Sequence, residues 1–125
     1  MNIAIIGAYG SAGSAAAEEL HQHVGDDVDQ LTLIDDGEPG GGLCIRKGCM
    51  PSKEILSAAE HRHQGRTDGR LDGPPHEIDL SKTIERKDGH IDQWAAHRRE
   101  GVHELTATDG VRFIDETAKF VDDHT

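Results

Sequence analysis

Cys44 and Cys49 are the only cysteines of the chain, and four residues separate them. Thiolates are nucleophiles and metal ligands, and a close pair can also cycle between dithiol and disulfide. The pair is flanked by the run Gly40-Gly41-Gly42, which lets backbone approach a ligand closely, and by Pro51-Ser52-Lys53, which reads as the entry to a helix. Two unrelated buried cysteines would not need such neighbours. A zinc centre needs four ligands, and the nearest histidine pair, His61 and His63, is separated by one residue where metal sites use three to five. No resident metal is therefore expected. A structural disulfide suits a secreted chain, and no signal peptide precedes this one. Redox chemistry in a reducing cytoplasm is the expectation that remains.

The stretch Gly41-Gly42-Leu43-Cys44-Ile45-Arg46-Lys47-Gly48-Cys49-Met50-Pro51-Ser52-Lys53 resembles the active-site signature of the class I pyridine nucleotide-disulfide oxidoreductases, the flavoenzymes that include dihydrolipoamide dehydrogenase, glutathione reductase and mercuric reductase. That signature runs Gly-Gly-Thr-Cys, four residues, Cys, one residue, Pro-Ser-Lys. Leu43 stands in place of the usual Thr, and Arg46 and Lys47 replace a common Asn and Val. Two cations there are expected to favour thiolate over thiol, whose free pKa is about 8.5. The resemblance implies FAD as cofactor and NAD(P)H as co-substrate, with electrons passing through FAD to a Cys44–Cys49 disulfide and on to a small-molecule disulfide or a metal ion. It makes Cys49 the thiolate facing the flavin and Cys44, the more exposed, the sulfur that attacks substrate. Both would lie near a helix N-terminus, where the macrodipole stabilises a thiolate by about 0.3–1 kcal/mol. Gly42, Leu43, Cys44 and Lys53 are the expected cofactor-binding positions of this segment, Lys53 beside the flavin ring.

The elements that must position these groups begin with Asn2-Ile3-Ala4-Ile5-Ile6, a short apolar run expected as a parallel strand covered on both faces. Gly7, Gly10 and Gly13 follow, then a predicted helix over 14–23 with Gly25 as its stop. Strand, glycine turn and helix open a Rossmann unit. The spacing Gly-x-x-Gly-x-x-Gly is one residue longer than the usual Gly-x-Gly-x-x-Gly, with Tyr9 inserted. Gly7 permits the turn, Gly10 lets backbone near a pyrophosphate, and Gly13 lets helix meet strand. Leu31-Thr32-Leu33-Ile34 is the second predicted strand, and Asp35 at its end is the candidate acceptor for a ribose hydroxyl. Asp36 reads as a solvated turn residue. The glycine spacing also suits NADP-dependent reductases of the semialdehyde-forming kind, a rival that leaves the cysteine signature unexplained.

Further along, 51–63 is predicted helical, with Ile55, Leu56, Ala58 and Ala59 facing inward, and 64–75 is an expected exposed loop. Asp79 can cap a long helix carrying an apolar stripe from Leu80 and Ile84 through Ile91, Ala95 and Val102 to Leu105, with Gly89 and Gly101 as possible bends. Trp94 reads as packing, and His90, His97 and His103 as surface residues. Val111–Ile114 reads as a third parallel strand, 117–122 as a following strand and 122–125 as a turn. The last segment resembles the family's Gly-x-Ala-x-Phe, whose backbone meets the adenine of FAD; Glu116 occupies the glycine position, so Ala118 alone is carried over.

The fold class expected is α/β, a Rossmann-like FAD-binding domain with a parallel sheet flanked by helices and incomplete at its C-terminus. Residues 1–125 are expected to be the N-terminal part of that domain, with the NAD(P)H and dimer-interface domains absent and the chain inactive alone. The resemblance implies a homodimer whose partner subunit supplies a His-Glu acid–base pair. A net charge of −11, with 24 acidic against 13 basic residues, argues against nucleic acid and anionic membrane as partners. No apolar run approaches the ~20 residues that span a bilayer. Aspartate-rich composition with only five lysines suggests a halophile's cytoplasm. A non-enzymatic nucleotide-binding module that senses redox state through its cysteines is the alternative of a different class.

Overall fold

A computed structural model describes residues 1–37, 40–70 and 77–122. Three parallel strands lie side by side in the order β1 (Asn2–Ile6), β2 (Gln30–Ile34), β3 (Val111–Ile114). Parallel neighbours need crossovers. The first is α1 (Ser11–Leu20); the second is built from α2 (Gly42–Arg46), α3 (Cys49–Thr67) and α4 (Leu80–Glu104). This is the α/β arrangement expected, a Rossmann-like sheet with helical crossovers.

β2 is the central strand, pairing Leu31 with Ile3 and Leu33 with Phe113. Its Leu31, Thr32 and Leu33 are all buried, as a strand covered on both faces requires. β1 departs from that expectation: exposed and half-buried residues alternate along it, and Ile6 is 55 % exposed. The difference follows from position, since β1 has a neighbour on one side only among the described strands.

Two apolar clusters hold the elements together. One joins Leu31, Leu33 and Val111 of the sheet to Ala17 of α1, Val102 of α4 and Tyr9 of the glycine turn. The other joins Ile45 of α2 to Ile91 and Ala95 of α4, with Met50 and Trp94 against it. α4 therefore belongs to both and links the sheet to the cysteine segment. Full burial of a residue such as Leu31 or Leu33 contributes about 1.5–3 kcal/mol.

Several boundaries differ from the sequence reading. α1 begins at Ser11, three residues early, because Gly10 in an extended conformation (φ −69°, ψ 158°) already serves as N-cap; it ends at Leu20 in a 3-10 turn, His21–His23. α3 starts at Cys49 and runs to Thr67, so the expected loop starts only at Asp68, and residues 71–76 of it lie outside the described set. Ile55 and Leu56 were expected inward, yet they are 44 % and 65 % exposed, and Ala59 is exposed too; α3 meets α4 along its other side, and only Ala58 is half-buried. The α4 stripe is buried at Ile91, Ala95 and Val102 but exposed at Leu80 and Ile84. Its cap is as expected, Asp79 Oδ1 accepting from Lys82 N at 3.1 Å, and it runs unbroken through Gly89 and Gly101. The segment 117–122 forms no strand: no neighbouring strand offers it a ladder among the described residues, and Phe120 and Val121 are exposed. Asp122 lies in a bend, while the rest of the expected terminal turn, 123–125, is outside the described residues. Among the described residues no helix is long and apolar enough to cross a membrane.

Candidate redox site

The glycine turn is closed by short backbone contacts, among them Gly10 N donating to Gly7 O at 3.0 Å. Gly7 (φ +83°) and Ala8 both donate to Ile34 O, at 2.8 and 3.2 Å, tying the turn to the end of β2. A Cβ on Gly13 would stand 2.1 Å from Gly7 O, so only glycine lets α1 start this close to β1. α1 has no side-chain cap and no acidic residue in its first turn. Its first N–H groups are thus left to an anion, the electrostatic condition for a bound phosphate.

Tyr9, the inserted residue, is buried inside the turn. Its N–H donates to Asp35 Oδ2 at 2.8 Å, and its hydroxyl is hydrogen-bonded to His103 Nε2 at 2.8 Å. Its ring packs against Phe113, 5.2 Å between centroids. His103 is therefore part of the packing, a correction to its reading as a surface residue; His90, half-buried, stacks near Trp94 and faces Glu54. His97 is exposed as expected. Asp35 also accepts from Gly37 N at 2.8 Å through Oδ1. A carboxylate has about four acceptor sites, so two remain for a ribose diol. Asp36 accepts from Thr117 Oγ1, which places the Ala118 segment beside the strand end. Two adjacent carboxylates with no recorded cation partner among the described residues would repel a 2′-phosphate, which argues against the NADP-dependent rival.

The run Gly40–Gly42 lies directly against this turn. All three have positive φ, and a Cβ on Gly42 would come 2.8 Å from Gly10 Cα, while one on Gly41 would meet Ala95 at 3.1 Å. The cysteine segment is thereby pressed between the glycine turn and α4. Arg46 fixes it there, Nε donating to Gly40 O at 3.0 Å and Nη1 pairing with Asp92 at 2.8 Å. A cavity of about 280 Å³ opens beside the run, lined by Gly37, Gly40, Gly42, Leu43, Arg46 and Lys47, with Leu43 75 % exposed at its lip. A larger cavity, about 370 Å³, lies between α3 and α4 and includes neither cysteine.

Cys44 sits in α2 and Cys49 opens α3, both as free thiols. Gly48 joins them: a Cβ there would meet Leu43 O at 3.1 Å and Cys44 Cα at 3.2 Å. Cys44 is half-buried and Cys49 exposed, the reverse of the order expected. Their acidities separate. Cys44 is held below the ordinary thiol range, chiefly because the Cys49 side chain hydrogen-bonds to it; partial burial opposes this, and the Cys49 N–H and the Lys53 and Arg98 charges add to it. Cys49 is pushed up, first by the same hydrogen bond and then by the negative charge developing on Cys44.

The cations that favour the Cys44 thiolate are thus Lys53 and Arg98, not Arg46 and Lys47 as the sequence suggested. Arg46 is engaged with Gly40 and Asp92, and Lys47 is exposed. Arg98 was missed because it lies 54 positions from Cys44 (98 minus 44) and nothing local marks it. Lys53 is exposed on α3, one turn beyond Cys49. Gly7, Gly10, Gly13, Asp35 and Gly42 are brought together at the glycine turn, Leu43 and Cys44 follow Gly42 in α2, Cys49 lies beyond Gly48, and the segment of Ala118 is joined to the strand end by the Thr117–Asp36 hydrogen bond. No cluster of three or more metal-ligating side chains occurs among the described residues.

A protein-family model described as pyridine nucleotide-disulphide oxidoreductase matches residues 1–125. The dihydrolipoyl dehydrogenase of Halobacterium salinarum is 32 % identical over 120 residues, which cover 95 % of this chain and 23 % of that protein. The mercuric reductase of Streptomyces lividans is 33 % identical over 124 residues, 97 % of this chain and 24 % of that protein. Among solved structures, the Cu(II) complex of the HOCl-induced flavoprotein disulfide reductase RclA of Escherichia coli matches with a TM-score of 0.67 at 25 % identity, over 97 % of this chain and 23 % of its own. LpdA of Mycobacterium tuberculosis agrees in fold, with a TM-score of 0.74 at 24 % identity over 98 % and 25 % of the two chains. The chain spans about a quarter of the length of these relatives.

Proposed function

The chain belongs to the pyridine nucleotide-disulphide oxidoreductase family, and from that premise we propose that it carries the flavin-binding turn and the redox cysteines of an FAD-dependent NAD(P)H:disulfide oxidoreductase of the dihydrolipoamide dehydrogenase kind. The uncapped start of α1, the remaining acceptor sites of Asp35 and the closely packed glycines suit a dinucleotide. Gly7, Gly10 and Gly13 would hold the pyrophosphate, Asp35 the ribose, and Gly42, Leu43, Cys44 and Lys53 the flavin side, with Ala118 at the adenine. FAD, when bound, supplies a two-electron carrier between NAD(P)H and the cysteines.

Two electrons and two protons open the Cys44–Cys49 disulfide to the dithiol. The Cys44 thiolate then attacks one sulfur of a small-molecule disulfide and expels the other as a thiolate. Cys49 attacks the mixed disulfide at Cys44, releasing the second thiol and restoring the intramolecular bond. This division of labour rests on one observation: the hydrogen-bonded pair leaves Cys44 the stronger acid and Cys49 the exposed sulfur that a planar ligand can cover. A metal ion in place of the disulfide would be held by the same two sulfurs. The working protein is proposed to be a cytoplasmic homodimer. Reductive titration of the intact protein, followed by visible absorbance, tests the assignment. A flavin spectrum that bleaches as two electrons enter, with disulfide reduction lost in both Cys44→Ser and Cys49→Ser, is the expected result; absence of bound flavin refutes it.

A further inference from the structure

Arg98 stands on the buried stripe of α4, between Ala95 and Val102, both almost fully buried. Charged residues rarely occupy such a seam without an anionic partner. Its Nη1 donates to Gly10 O at 3.5 Å and to the hydroxyl of Ser14, itself 4 % exposed. Both acceptors are neutral. Glu18 lines the same groove, yet no ion pair of Arg98 is recorded among the described residues. Gly10 is moreover the N-cap of α1 and Ser14 lies one turn in, so the guanidinium is held at the positive end of a helix. A cation there is electrostatically unfavourable. A half-buried cation, a positive helix end and neutral partners together leave a local excess of positive charge that an anion would relieve.

We infer that Arg98 is a binding residue for the diphosphate of the dinucleotide, reaching it from α4 across the first turn of α1; this rests on the dinucleotide reading above. The planar fork of a guanidinium can keep its hold on Gly10 and Ser14 while presenting further N–H groups to a phosphate oxygen.

The test compares ADP with adenosine, measured by titration calorimetry on intact protein stripped of flavin, for wild type, Arg98→Gln and Arg98→Lys. A charge-assisted contact to phosphate predicts that Arg98→Gln weakens ADP roughly 10- to 100-fold while adenosine is unchanged. Arg98→Lys, which keeps the charge, should fall between, and it carries the test alone if the glutamine variant does not fold. Equal losses for ADP and adenosine would mean that Arg98 only braces the turn, and would overturn the inference. So would unchanged ADP affinity accompanied by a shift in the pH profile of Cys44 alkylation, since Arg98 would then serve the thiolate alone. A wild-type protein that binds neither FAD nor ADP would instead remove the dinucleotide reading beneath it.

Discussion

Within one turn of chain, a single hydrogen bond makes two chemically identical thiols unequal. Cys49 donates to Cys44, which lowers the one and raises the other. Cys49→Ala removes the donor, so the Cys44 pKa should rise toward the ordinary thiol value, and its iodoacetamide alkylation in reduced protein should need higher pH. In Cys44→Ala the developing negative charge is gone, so Cys49 should become more acidic. Stopped-flow alkylation against pH reads both, and parallel movement in the two variants would contradict the assignment. The cation effect can be separated the same way: Lys53→Gln should raise the alkylation midpoint of Cys44, whereas Lys47→Gln should leave it in place. Here the sequence was legible in part. The cysteine spacing and the glycines announced the site, but charge acts through space, and Arg98 reaches Cys44 from a helix whose order along the chain gives no sign of it.

At the scale of elements, the close meeting of β1 and α1 is the constraint on which the site depends. Gly13 and Gly89 are both helical glycines, yet a Cβ on Gly13 would be 2.1 Å from a backbone oxygen, and one on Gly89 would meet nothing within 4 Å. Gly13→Ala should therefore destabilise the protein by about 1–3 kcal/mol through overpacking, despite alanine's better helix propensity. Gly89→Ala should stabilise it by up to about 1 kcal/mol, the propensity gain alone. Denaturant melts of the two variants check the contrast; equal effects would show that the turn is looser than drawn. Strand positions and the capped start of α4 were readable from short apolar runs and from Asp79, since both signals are local. Which face of α3 turns inward was not: Ile55 and Leu56 look like core residues in sequence, but α4 approaches from the other side.

For the molecule as a whole, charge is the term that composition alone determines. A chain of 125 residues with a net charge of −11 repels itself in the folded state, and the recorded ion pairs of its surface, such as Met1 with Asp29 and Lys82 with Asp79, are largely exposed and weak. The self-repulsion falls with salt, because the Debye length shortens from about 10 Å at 0.1 M to about 3 Å at 1 M. The isolated pairs weaken too, but many like charges outweigh a few short contacts. Stability should therefore rise between 0.1 and 1 M KCl, and Glu→Gln or Asp→Asn changes at exposed positions such as Asp26 and Glu85, which have no ion pair among the described residues, should flatten that rise. A thermal melt of the intact protein across this range decides the matter. A melting temperature that falls with KCl would show that attractive pairs dominate, and would remove the physical basis for reading the acidic surface as an adaptation to high salt.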